Sequence, residues 1–277
     1  MRLIRHGQHR VYAYYEDDPS NTIEQKIDSL RNELSLLVTG IIYPNTGPLK
    51  ETFNRRRFES SIFVSINKNA KAVDADTLIQ IQAIMNPTSG EAISRKVIEE
   101  LNNRETFINM FQLSKTDDAP IKTASIIQYA LSSLLVAKYS STSLYMYWLK
   151  KNGYANNFEL TKDYDIKSYV NYCVNSLETY FKAIKSRFLA YWNKDSKLLK
   201  VISLNAFVIA FRETLAHTNG PKDYNFYFSA FESLSGTLNF SKDNTEFPYA
   251  GAQYSKFAKT LIVPAIEKHN RDITKGS

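Results

Sequence analysis

MRLIRHGQHRVYAYYED (1–17) is the stretch whose reading decides how the rest of the chain is understood. Residues 2–5 suffice for a short strand. Gly7 permits a sharp turn after it, because a residue without a Cβ adopts backbone angles closed to the others. A helix is expected from about His9, since Val11, Tyr12 and Tyr15 recur at helical spacing. Working outward, EDDPSNT (16–22) reads as a turn, and LSLLVTGIIY (34–43) as a buried strand bounded by PNTGP. Leu49, Phe53, Phe58, Ile62 and Ile66 are spaced mostly four apart, which predicts a helix ending at Asn67, although SIFVSI alone would pass as a strand. A polar loop follows. Asp74 or Asp76 then caps a helix running to Met85, and another helix is expected over about 91–112. From Pro120 onward the chain reads as nearly all helix, over 122–138, 168–192, 197–216, 224–235 and 250–269, with Pro264 kinking the last. The clearest stripe is Val170, Cys173, Val174, Leu177, Phe181, Ile184 and Phe188, at spacings of three and four.

The chain has 277 residues, 43% of them hydrophobic and 13% aromatic, which is enough to build a core and too apolar for a disordered chain. Its net charge of +7 favours anionic partners. Cys173 is the only cysteine, so no intrachain disulfide forms, and a reducing, cytoplasmic setting is expected. No apolar run is long enough for a bilayer: LLKVISLNAFVIAF (198–211) is short and contains Lys200, Ser203 and Asn205.

Two resemblances compete for the opening. LIRHGQ, at the end of a strand, resembles the start of a histidine phosphatase, with His6 as nucleophile, Arg5 beside it and His217 as the distal histidine. That family is built on several buried parallel strands, whereas only one further strand is expected here. HGQHRVYAYY resembles the DGQHR signature of a ParB-like domain, and Gly7, Gln8, His9, Arg10, Val11, Tyr12 and Ala13 match it position by position. Downstream, IFVSINKNAKAVDADTL (62–78) resembles the same family's Phe-Val-x-Ile-Asn segment, through Phe63, Val64, Ile66, Asn67, Lys71 and Val73. NSLETYFKAIKSRFLAYWN (175–193) and FPYAGAQYSKFAKTL (247–261) resemble its C-terminal helices. The chain is accordingly identified as a DGQHR-domain protein. The expected fold is α+β, mostly α: an incomplete ParB-like α/β part over 1–120, then a helical region over 121–277.

The resemblance implies a phosphate cradle. The glycine bend brings the backbone close to the ligand, and the free N–H groups of the next helix point at it. Arg10 forks onto phosphate oxygens, Gln8 and His9 orient water or ligand, Asn67 shapes the pocket and Lys71 adds charge. The ligand is expected to be a nucleoside triphosphate carried with magnesium, hydrolysed slowly if at all. Expected partners are DNA and other proteins of DNA-modification or phage-defence systems. Each residue also has a plainer reading: Gln8 ties down a turn, Arg10 pairs with Glu16 or Asp17, and Asn67 caps a helix. Arg55, Arg56 and Arg57 fan around a helix as a solvated face, or contact a DNA backbone. The aromatics of YMYW (145–148) and YNFYFSAF (224–231) either stack on bases or fill a core, and His217 marks a helix end.

Two departures from the family stand out. His6 replaces its acid, and neutral imidazole caps a helix or positions a metal-bound water poorly. The signature also begins at residue 6, whereas relatives carry strands and a Gln-Arg element before it. An N-terminally truncated chain with uncovered sheet, prone to dimerise, is therefore expected.

Overall fold

Long aromatic and aliphatic stripes at helical spacing make the described residues mostly helical. The computed structural model describes residues 52–67, 75–113, 117–136, 143–250 and 252–276. The contacts divide the chain into two compact units, Met1–Ile66 and Asn67–Ser277. Of the first unit the described part is helix α1 (Thr52–Asn67), whose last residue belongs to the second. It ends where the apolar spacing predicts. The expected strands at 2–5 and 34–43, and the glycine bend, lie outside the described residues.

The second unit begins with α2 (Ala75–Met85) and α3 (Gly90–Leu101). Ser89 caps α3 by accepting the Ala92 N–H at 3.1 Å. The helix expected over 91–112 stops at Leu101, because Asn102 turns its side chain back on the chain: Oδ1 accepts the Phe111 N–H at 2.8 Å. That bond sets β1 (Phe111–Gln112) beside β2 (Ile121–Lys122) as a two-residue parallel pair. Next come α4 (Thr123–Ile126), a π-helical turn (Ile127–Leu131) and α5 (Ser132–Val136), then α6 (Leu144–Asn152) and α7 (Asp163–Arg187). After a 3-10 turn (Leu189–Tyr191) follow α8 (Val201–Thr218), α9 (Tyr224–Ala230), α10 (Glu232–Ser235) and α11 (Tyr254–Gly276). The helix expected over 224–235 is thus two, parted at Phe231. α11 runs through Pro264, whose ring forgoes one backbone hydrogen bond.

One apolar core extends from Ile79 to Ala265 and crosses residue 120 without a break. α8 is apolar nearly all round, with Leu204, Phe207, Phe211 and Leu215 buried, so it sits inside and packs along α11. α7 buries Tyr169, Val170, Cys173, Val174, Leu177, Tyr180, Phe181 and Ile184. Its acidic first turn (Asp163, Asp165) and basic last turn (Lys185, Arg187) suit the helix dipole. Each buried tyrosine hydroxyl finds a partner: Tyr180 donates to the Phe207 carbonyl at 3.0 Å, Tyr145 to that of Phe158 at 2.5 Å and Tyr169 to that of Leu135, while Tyr227 accepts from the Lys222 N–H. The aromatics of 145–148 and 224–231 are mainly core. Tyr145, Trp148, Phe226, Tyr227 and Phe231 are buried, and Trp148 packs on Tyr145, Tyr154, Phe158 and Tyr169. No helix among the described residues is long and apolar enough to cross a membrane.

Two outcomes test this packing. Phe207 is fully buried among Phe231, Phe240 and Phe257, so Phe207→Ala should cost about 3–5 kcal/mol in urea unfolding. Cys173 is fully buried, and burial pushes its thiol well above the ordinary range. A thiol reagent should leave it unmodified in the folded chain and label it fully in denaturant.

Candidate functional site

The residues expected to form the phosphate cradle fall mostly outside the described part. His6, Gly7, Gln8, His9, Arg10 and Lys71 are all in this group. Asn67 is the last residue of α1. Arg55 is half-buried and Arg56 and Arg57 are exposed, near the other end of the same helix. At 1.5 Å of rise per residue, roughly 15–18 Å of helix separates the three arginines from Asn67, so they do not share one small-ligand pocket with it. His217 lies exposed in the last turn of α8, at the helix end the sequence predicts.

The second unit contains a polar groove that the sequence reading did not single out. Its floor is the outward face of α7. The stripe that buries Tyr169, Val170, Cys173, Val174 and Leu177 turns Ser168, Asn171, Asn175 and Thr179 to the other side, at spacings of three, four and four. One wall is the end of α6, with Lys151 and Asn152. The other is the turn after α8, with Pro221 and Lys222. The cavity measures about 500 Å³.

Both walls are firmly held. Ser143 caps α6, accepting the Met146 N–H at 3.4 Å, and Gly153 ends it in the left-handed region with φ 68°. Lys150 and Lys151 in the last turn face the negative end of the helix dipole. Across the groove, Asn219 closes α8 at φ 52°, and its Oδ1 accepts from Lys150 Nζ at 3.4 Å. Tyr147 of α6 donates to the Leu215 carbonyl at 2.8 Å, tying the two walls together. Thr218 Oγ1 lies 2.8 Å from the Gly220 carbonyl, the Lys222 N–H donates to Tyr227 Oη at 3.0 Å, and Asp223 caps α9 through the Phe226 N–H at 2.8 Å.

The lining carries two lysines, three asparagines and three hydroxyl side chains, with no carboxylate. The nearest acids in sequence are engaged elsewhere. Glu178 Oε1 accepts from Thr106 Oγ1 at 2.6 Å, and Asp223 is occupied as a cap. A second groove, of about 490 Å³, adjoins it at Asn171, which lines both, and has a different character: Glu99, Glu100 and Asp163 sit there beside Lys96 and Lys167. Among the described residues no group of three or more His, Cys, Asp or Glu side chains gathers to hold a metal ion.

The amide-rich face of α7 was visible in the sequence as an acid-free run between Asp165 and Glu178. Its meaning was not, because the lysines that complete it come from the end of α6 and the turn after α8. No family model, curated protein or solved structure matches this chain.

Gly220 has φ 117°, and a Cβ there would stand 3.1 Å from the Tyr147 ring. Gly220→Ala should therefore cost about 1–3 kcal/mol in chemical unfolding through backbone strain and crowding. Gly236→Ala, where a Cβ meets nothing within 4 Å, serves as the control and should leave stability within about 0.5 kcal/mol.

Proposed function

We propose that this chain is a DGQHR-type nucleotide-binding protein of the ParB-like superfamily, working as a component or regulator of a DNA-modification or phage-defence system. The observation that carries the reading is the ordered pair of motifs, Gly7–Ala13 and Phe63–Val73. One described feature is in keeping with it: a helix begins at Ala75, after the segment that contains Lys71, and the resemblance implies a helix there.

In this reading Arg10 grips the phosphate oxygens of a nucleoside triphosphate through paired, charged hydrogen bonds. Gly7 lets the backbone come close, Gln8 and His9 orient water, and Asn67 and Lys71 border the pocket. Magnesium arrives on the nucleotide's phosphates, where it neutralises charge. With His6 in place of an acid, hydrolysis is slow and binding is the main event.

Calorimetric titration of the full chain with a magnesium nucleoside triphosphate tests this. Arg10→Ala should weaken binding about 10- to 100-fold, the worth of hydrogen bonds to a charged group. Unchanged affinity, or no binding by the unsubstituted chain, refutes the reading.

A further inference from the structure

The groove floored by α7 has a chemistry that its structural role leaves unexplained. Asn171 and Asn175 are exposed in mid-helix and make no side-chain hydrogen bond among the described residues. Asparagine is a poor helix former, so two of them on the solvent face add nothing to the stability of α7. The Lys222 side chain makes no hydrogen bond or ion pair among the described residues, and Lys151 Nζ lies 5.5 Å from the Tyr172 ring centroid. Of the neighbouring carboxylates, Glu178 bonds Thr106 and Asp223 caps α9, and neither lines the groove. What remains is a positively charged strip of donors.

We propose that this groove binds the phosphodiester backbone of a nucleic-acid duplex, with Lys151 and Lys222 on phosphates and Asn171 and Asn175 donating to phosphate or sugar oxygens. The layout separates this from a site for one phosphate group. The donors do not converge on a point: from Ser168 to Thr179 they extend along roughly 16 Å of helix. Each nucleotide of one strand advances about 3.4 Å along the duplex axis, so a strip of that length meets more than one phosphate. Lysine, a compact charge on a flexible stem, suits such diffuse contact, and the lining holds no arginine fork of the kind that grips a single phosphate.

The scarcity of open rings favours a duplex over a single strand. Trp148 is only 1% exposed, and the half-buried Tyr172 is the one other ring in the lining, with Lys151 Nζ 5.5 Å from its centroid, so there is no row of rings on which successive bases would stack. Binding is therefore independent of sequence and sensitive to salt. The inference does not rest on the nucleotide reading of the first unit.

Fluorescence anisotropy of the full chain with a DNA duplex of roughly 20 base pairs, at about 50 and about 200 mM salt, tests it, with the matching single strand as comparison. The unsubstituted chain should bind the duplex at least as tightly as the single strand, and lose affinity as salt rises. The double substitution Lys151→Gln, Lys222→Gln should weaken binding about ten-fold or more at low salt and lower the log–log salt slope by about 1.8. Asn171→Ala with Asn175→Ala should weaken binding with the slope unchanged, because these contacts are uncharged. All four positions are on the surface or at its edge, and unfolding curves check that each variant folds. Arg10→Ala, which probes the nucleotide site, should bind duplex as the unsubstituted chain does. Lack of duplex binding at low salt overturns the proposal, as does tighter binding of the single strand. So does a lysine double variant with the original affinity and slope.

Discussion

Tyr180 is the point at which α7, packed along α3 and α9, also reaches α8. The side chain is buried, its hydroxyl donates to the Phe207 carbonyl, and its ring meets Phe181, Phe211, Tyr227 and Phe231. A buried phenol lacking an acceptor would forfeit about 1–3 kcal/mol, so the hydroxyl bond favours the turn of α8 that lies opposite Tyr180. Fixing that register also fixes the rotation of α7 about its axis. A helix has one set of faces: once Tyr169, Cys173, Leu177 and Tyr180 point inward, Ser168, Asn171, Asn175 and Thr179 are held outward. The groove is therefore a consequence of core packing, and its floor is as rigid as the core beneath it.

Particular elements show what the sequence made legible. α7 was readable because its apolar stripe runs for many turns. Its start was misjudged by five residues, at 168 rather than Asp163, because the first turn is polar and is placed by the buried Asp165 and Ile166. α3 was overextended because nothing local in Asn102 announces that its side chain will bond Phe111 nine residues on. The two strands are two residues each, too short for alternation to register, and they exist because Asn102 and the Thr123 hydroxyl, which donates to the Gln112 carbonyl at 3.0 Å, hold the pair in place. The aromatic segments were ambiguous between stacking on bases and filling a core. Burial decided for the core, since Trp148 and Tyr227 each have several ring partners and no open face.

The groove was illegible for a different reason. Its charges stand at 151 and 222 and its amides at 171 and 175, and only tertiary packing brings them together. A composition of +7 does not reveal where cations collect, because on most of the surface lysines and carboxylates alternate, as they do in the groove of Lys96, Glu99 and Glu100. Two lysines in a lining that holds no carboxylate make this stretch electropositive. Glu178 bonds Thr106, and Asp223 caps α9.

Charge type also separates the two proposed ligands physically. A planar guanidinium presents a fixed fork, so Arg10 suits a terminal phosphate held in one orientation, where geometry adds to charge. Lys151 and Lys222 carry hydrated point charges that tolerate displacement, so they suit a backbone that slides past in many registers. The first kind of contact weakens little with salt when the ligand is enclosed, whereas the second releases counterions and weakens steeply. A chain with both would hold its nucleotide firmly while its grip on a duplex remained adjustable by ionic strength. The fixed side of that contrast needs an enclosed cradle around Gly7, and the adjustable side needs an open, acid-free groove such as the one that α7 floors.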